Sequence, residues 1–311
     1  FLKEAQQTDA VTGALNHILQ GMPMNCKTCD LKTICDEVDG MRSLHKKNRY
    51  RMPRKEKGES MEGNAKVIAV TGKGGVGKTS LAAGMVRRLT QRYPDAKILA
   101  IDADPAVGLA TALDAKVKET LDDIRLEITQ GVSEKLKDTQ DILSEARFRL
   151  LDMMDEEKGF AFVAIGRPES SGCYCAINSY LRDVISMLAG QFDYVVIDGE
   201  AGIEQVNRRV MEQVTHLLLV TDQSRKGLQV IQTIKDVADR LVMYERLGVA
   251  VNRITQDVIP FGNPFPDAPF VEIRNDEAQI VNDIQGKSVF ELPEECELLK
   301  GADGILDALG I

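Results

Sequence analysis

The segment Gly72-Lys73-Gly74-Gly75-Val76-Gly77-Lys78-Thr79-Ser80 constrains this chain more than any other. It follows the apolar run Val67-Ile68-Ala69-Val70 and leads into a helical pattern that opens at Thr79. A strand, a glycine-rich turn and a helix in that order make a cradle for phosphate. The glycines let successive backbone N–H groups close around the anion, and the positive end of the helix dipole adds to the attraction. In such a loop Lys78 is expected to reach the β- and γ-phosphates, and the Thr79 hydroxyl to ligate Mg²⁺. The expected ligand is a nucleoside triphosphate, ATP, held along residues 72–80.

From about residue 64 onward, short β-rich runs alternate with helical patterns. Strands are expected over 66–71, 97–101, 160–165, 194–198, 216–221, 248–252 and 270–273. Runs such as Tyr194-Val195-Val196-Ile197 and Leu217-Leu218-Leu219-Val220 are apolar on both faces, the mark of strands covered from both sides. The expected fold is α/β, a P-loop NTPase with a mainly parallel sheet between two helical layers. Ligands of such sheets lie at the carboxyl ends of strands, where Gly72, Asp102 and Asp198 fall. Asp198 is the expected Mg²⁺-holding aspartate, and Gly199-Glu200-Ala201-Gly202 the turn that senses the γ-phosphate. The stretch 116–158 lacks strand signals and reads as inserted helices.

Composition narrows the partners. The 311 residues are 43% hydrophobic, ample for a buried core, and no apolar run is long enough to span a membrane. A net charge of -9, no Trp and only 5% aromatic residues argue against nucleic acid as a ligand. The chain opens at Phe1, which predicts that the natural N-terminus lies upstream. Six cysteines, five of them in two clusters, point to metal or redox chemistry in a cytoplasmic protein rather than to disulfides.

The extra lysine in Lys73-Gly74-Gly75-Val76-Gly77-Lys78-Thr79 resembles the deviant Walker A loop of the MinD, ParA and nitrogenase-iron-protein superfamily. The resemblance implies a homodimer in which Lys73 crosses the two-fold axis to the partner's nucleotide, as an arginine finger does. It also implies that Asp104, in Asp102-Ala103-Asp104-Pro105, orients the attacking water, a helix cap being the alternative role. Asn252 and Arg253 match the adenine-contacting pair of that superfamily, and Ile273-Arg274-Asn275-Asp276 the segment that closes over the base.

Cys173-Tyr174-Cys175 offers two thiolates, half of a four-ligand site. A two-fold dimer completes it by bringing two copies together. With Gly172, Asn178, Leu181-Arg182 and the run from Ile197 to Glu204, this motif resembles the CooC-type nickel-insertion ATPases that mature carbon monoxide dehydrogenase and acetyl-CoA synthase. That resemblance covers residues 66–311 and implies Ni²⁺, or Zn²⁺ in vitro, bound by paired Cys173 and Cys175, with a client of the carbon monoxide dehydrogenase type. Gly199 departs from the pattern, where Thr or a bulkier residue is expected. An ATP-gated electron donor with an iron–sulfur cluster between subunits is the alternative. Nitrogenase-type and Mrp-type cysteine spacings fit less well, because 199–221 contains no cysteine and the C-terminal region only Cys296.

Residues 1–45 form a cysteine-bearing extension outside the family plan, 46–63 a basic linker, and 64–311 the ATPase domain. Ala5, Val11, Leu15, Ile18 and Leu19 fall at amphipathic-helix spacing. Cys26, Cys29 and Cys35 supply three ligands of a second site, with zinc or an iron–sulfur cluster as its occupant and a metal-free role as the alternative. The run from Lys46 to Lys57 reads as a solvated linker, with a docking arm as the alternative.

Overall fold

A computed structural model describes residues 65–104, 106–133, 158–166, 185–186, 188–199, 214–241, 244–255 and 263–311. Seven parallel strands form one sheet in the order β3-β2-β4-β1-β5-β6-β7. They are β1 (Lys66–Gly72), β2 (Ile98–Asp102), β3 (Ala161–Ala164), β4 (Tyr194–Asp198), β5 (His216–Thr221), β6 (Arg246–Ile254) and β7 (Phe270–Arg274). Every expected strand is present: β4 and β5 have the expected bounds, and the others differ by at most two residues at an end. The described helices are α1 (Lys78–Arg92), α2 (Gly108–Leu113), α3 (Leu121–Ser133), α4 (Arg225–Leu241), α5 (Glu277–Ile284) and α6 (Glu297–Leu309), with a short 3₁₀ turn at Val289–Glu291. The extension 1–45, the linker 46–63 and all cysteines except Cys296 lie outside the described residues.

Each strand feeds two cores because successive side chains point to opposite faces. In β1, Val67 and Ala69 join Leu99, Ile101, Val195, Ile197, Leu217 and Leu219 on one face. Ile68 and Val70 join Ala100, Val196, Leu218 and Ala250 on the other, under α1 and α6. Helix α1 buries Leu81, Ala82, Ala83, Met85, Val86 and Leu89. Its small residues admit α6 closely: a side chain at Gly84 would sit 3.4 Å from Ala302 Cβ. Polar bonds add direction to that apolar contact. The buried Arg87 guanidinium donates to the carbonyls of Val289 (2.6 Å) and Leu292 (2.9 Å) and pairs with Glu294. Arg92 pairs with Asp303 at 2.6 Å and Asp307 at 2.7 Å. The helix that follows the phosphate loop is thereby fixed to the end of the chain. Cys296 is buried at the start of α6.

At the amino-terminal end of β5, His216 is 5% exposed. Its Nε2 faces the Leu309 carbonyl at 3.2 Å and its Nδ1 the Thr215 hydroxyl at 2.7 Å, so a neutral ring with its proton on Nε2 satisfies both. Burial lowers its pKa to about 4 against the weaker pull of the Leu309 carbonyl, and the Arg246 and Lys66 charges push the same way as burial. The unfolded chain takes up this proton near pH 6.5, the folded one only near pH 4. Stability from this residue is therefore complete above about pH 6.5 and falls as pH drops toward 4, by on the order of 3 kcal/mol in all. Denaturant titrations of wild type and His216→Gln at pH 7 and pH 4.5 should show the wild type losing more. Equal losses in the two proteins would mean that His216 is not buried in the neutral form.

Candidate functional site

The geometry of the loop starts with a backbone collision that only glycine avoids. Gly72 ends β1 in register with Val220 of β5, at a φ of 149°. A Cβ there would lie 2.0 Å from the Val220 carbonyl oxygen, inside any permissible contact. Lys73 N–H then donates to that same carbonyl at 3.1 Å, which turns the chain out of the sheet. Gly75 and Gly77 have φ of 77° and 87°, left-handed values that glycine adopts without steric cost. Gly77 precedes α1 and uses no side-chain cap, leaving the first-turn N–H groups of Lys78, Thr79 and Ser80 for an anion.

Two residues from β6 brace the outside of this loop. Asn252 Nδ2 donates to the Val76 carbonyl at 2.8 Å, and Arg253 to the Gly75 carbonyl at 2.9 Å. A Cβ on Gly77 would strike Asn252 Nδ2 at 2.7 Å. Arg253 itself has a φ of 59°, uncommon for a residue with a side chain. The pair expected to meet the base therefore holds the phosphate loop in this structure. Lys78 is 8% exposed and donates to the Lys73 carbonyl at 3.2 Å, folded back across the loop.

Asp198 ends β4 beside this lysine, in register with Val70 of β1 and Asp102 of β2. Both of its oxygens are buried with no hydrogen-bond partner of good geometry. Burial pushes its pKa up to about 7 and the Asp102 and Asp104 carboxylates push the same way, while the Thr79 hydroxyl and the Lys78 charge oppose them. Asp102 is raised to about 6, chiefly by burial, although the N–H groups of Asp104 (3.1 Å) and Leu109 (2.8 Å) donate to it. Those bonds place the turn that carries Asp104. The Asp104 carboxylate is partly exposed and accepts from Ala106 N–H at 2.8 Å, and Val107 closes the turn in the left-handed conformation.

A dehydrated carboxylate beside a threonine hydroxyl fits a small hard cation that takes its remaining ligands from water and phosphate. Among the described residues no group of three or more His, Cys, Asp or Glu is placed to hold a metal ion by itself. The two findings agree, because Mg²⁺ in phosphate sites is held by few protein atoms.

Lys73 points away from the loop and pairs with Asp222, the residue after β5. Ser224 also binds that carboxylate, its hydroxyl at 2.6 Å. Burial acts to raise the Asp222 pKa, but the hydrogen bonds from Lys73 and Ser224 outweigh it and hold it below the usual value. Sequence reasoning passed over Asp222, although it sits at a strand end just as Asp102 and Asp198 do. Cys173, Cys175, Glu200, Cys26, Cys29 and Cys35 lie outside the described residues. No described helix is long and apolar enough to cross a membrane.

Several known proteins are similar to this chain. An ATP-binding protein of Methanocaldococcus jannaschii is 36% identical over 190 residues, 60% of this chain and 74% of that protein. The carbon monoxide dehydrogenase accessory protein CooC of Rhodospirillum rubrum is 27% identical over 224 residues, 65% of this chain and 84% of that protein. The septum site-determining protein MinD of Pyrococcus horikoshii, solved with Mg-ADP, superposes with a TM-score of 0.56 at 19% identity, over 78% of this chain and 94% of that one. The AAA_31 family, described as an AAA domain, matches residues 65–247. That span runs from the start of β1 through the phosphate loop and Asp198 into β6, and over it the chain belongs to the AAA_31 family as a P-loop ATPase.

Proposed function

We propose that this chain is an ATP-driven metallochaperone. It works as a homodimer that carries nickel on paired Cys173 and Cys175 and delivers it to an enzyme of the carbon monoxide dehydrogenase type. The relation to the CooC accessory protein, in a chain that also has the Cys173-Tyr174-Cys175 motif, carries the reading. Zn²⁺ is a second cargo the same thiolates would accept. Cys26, Cys29 and Cys35 form a separate metal or iron–sulfur site in the extension.

In this mechanism the N–H groups of residues 74–80 and the Lys78 ammonium hold the triphosphate. Lys78 moves from the Lys73 carbonyl to the phosphates, a short change for a lysine that already lies across the loop. Thr79 and Asp198 hold Mg²⁺, which neutralises phosphate charge when bound. Asp104 orients a water for attack on the γ-phosphorus, with ADP leaving. Asn252 and Arg253 support the loop from beneath and border the base.

Lys73 sets the state of the dimer. In the single chain its charge is satisfied by Asp222. In the closed dimer it exchanges that partner for the nucleotide of the second copy. Lys78→Ala should abolish ATP binding, measured by calorimetry, whereas Lys73→Ala should bind ATP within a few-fold of wild type and lose most of its turnover. Full turnover by Lys73→Ala would remove the lysine from the catalytic step.

Because the Lys73–Asp222 pair is partly exposed, it is worth about 0.2–1 kcal/mol. Two such pairs break per dimer, so Asp222→Asn should strengthen ATP-dependent dimerisation by roughly 2- to 30-fold in sedimentation experiments. Weaker dimerisation would show that Asp222 supports the closed state instead.

Four thiolates from two chains should bind one divalent ion per dimer. ATP and metal both favour the dimer, so each should tighten the other, and metal affinity should fall as pH drops because thiols must lose protons to bind. Replacing Cys173 and Cys175 by Ser should remove about half an equivalent of metal per chain, with ATP binding to the monomer retained. Unchanged metal content in that variant would overturn the carrier reading.

A further inference from the structure

The turn between β5 and α4 is tied to the phosphate loop by two routes that meet in adjacent residues. Asp222, which opens the turn, pairs with Lys73 through one carboxylate oxygen. The other oxygen accepts from Ser224 N–H at 3.2 Å and from the Ser224 hydroxyl at 2.6 Å. A Cβ on Gly227 would lie 2.3 Å from that second oxygen, so the carboxylate is packed on the first turn of α4. Gln223, the next residue, reaches across to the end of β6. Its Oε1 accepts from Thr255 N–H at 2.7 Å and from the Thr255 hydroxyl at 3.1 Å. Thr255 stands two residues beyond Arg253, which donates to the Gly75 carbonyl at 2.9 Å.

These contacts close a ring. It runs from Lys73 to Asp222, through Gln223 to Thr255, back along β6 to Arg253, and on to Gly75, two residues from Lys73. The β6–β7 register shifts between Val251 and Ile254, the stretch that carries Asn252 and Arg253. An irregularity of this kind re-aims side chains and interrupts the ladder locally. We propose that Gln223 is a positioning residue: its side-chain oxygen fixes the turn that holds Asp222 against Lys73, and ties that pair to the end of β6 that braces the phosphate loop.

The bridge is suited to setting a position rather than to stabilising the fold. Thr255 brings two donors to one acceptor, and both donors can turn to water when that acceptor is removed, because Thr255 is exposed. The loss of such bonds costs little, so the sheet persists while the Asp222 turn loses its outer anchor. This deepens the role given to Lys73 in the dimer, and rests on it. A nucleotide that engages Gly75 and Arg253 acts on the same ring that holds Lys73 back, and coupling of this kind is reciprocal.

Competitive acetylation of the full chain, without nucleotide or metal, reads the state of Lys73 directly. Trace acetic anhydride is the probe, and mass spectrometry sets the rate at Lys73 against that at Lys300, whose side chain is half exposed. Asp222→Asn should raise the relative rate at Lys73 by roughly 1.4- to 5-fold. Gln223→Met should raise it measurably and by no more than that factor. Gln223→Glu, which keeps the acceptor oxygen, should leave it at or below the wild-type value. Gln223→Met should add nothing in the Asp222→Asn background, because the route runs through Asp222. An unchanged rate in Gln223→Met, equal rises in the Met and Glu variants, or an additive rise in the double variant would each overturn the proposal. In sedimentation with ATP, Gln223→Met should also dimerise more tightly than wild type, and Gln223→Glu should not. Faster labelling with unchanged dimerisation would overturn the role of Lys73 in closing the dimer and leave the bridge standing. Nickel carriage is decided separately, by the metal content of the Cys173 and Cys175 variant.

Discussion

A carboxylate buried without a hydrogen-bond donor is expensive, and Asp198 is one. Burial shifts its proton equilibrium close to neutrality, and Asp102, in register on the adjacent strand, is shifted in the same direction. The structure tolerates the cost because three parallel strands with apolar neighbours hold both residues at their carboxyl ends. Lys78 lies close enough to offset part of the charge, and the missing donor is replaced when a cation and phosphates enter. The site is thus prepared by strain in its electrostatics, while the backbone around it is fixed by Gly72, Asn252 and Arg253.

The same economy governs Lys73. A lysine beside the phosphate loop needs a counter-charge, and Asp222 supplies one at the next strand end. The pair is partly exposed, which keeps it weak. A deeply buried partner would have locked the lysine in place. The position of Asp222 therefore suits a switch better than a permanent bond.

Rigidity elsewhere makes these small exchanges consequential. Helix α1 carries the phosphate loop at one end and is clamped to α6 by Arg88 and Arg92, and to the segment just before α6 by Arg87. The buried arginine with two carbonyl acceptors leaves this helix little freedom to shift. Movement in the nucleotide site is left to side chains and to the turn at Asp104, where Val107 occupies a conformation that β-branched residues rarely adopt.

Much of this was legible from residue order alone. Seven apolar runs alternating with helical patterns can fold only as a covered parallel sheet, because strands without polar alternation need both faces buried. The glycine loop between a strand and a helix announced phosphate for the same local reason. Strand-end position likewise singled out Asp102 and Asp198. What the sequence could not give was the set of partners that come from elsewhere in the chain. Asp222 for Lys73, the Val220 carbonyl against Gly72 and the bracing of the loop by Asn252 and Arg253 join residues over 140 positions apart. Local chemistry fixes which residues can bind phosphate and which segments form strands; only the packed sheet decides which charges meet, because pairing depends on distances that sequence separation does not encode.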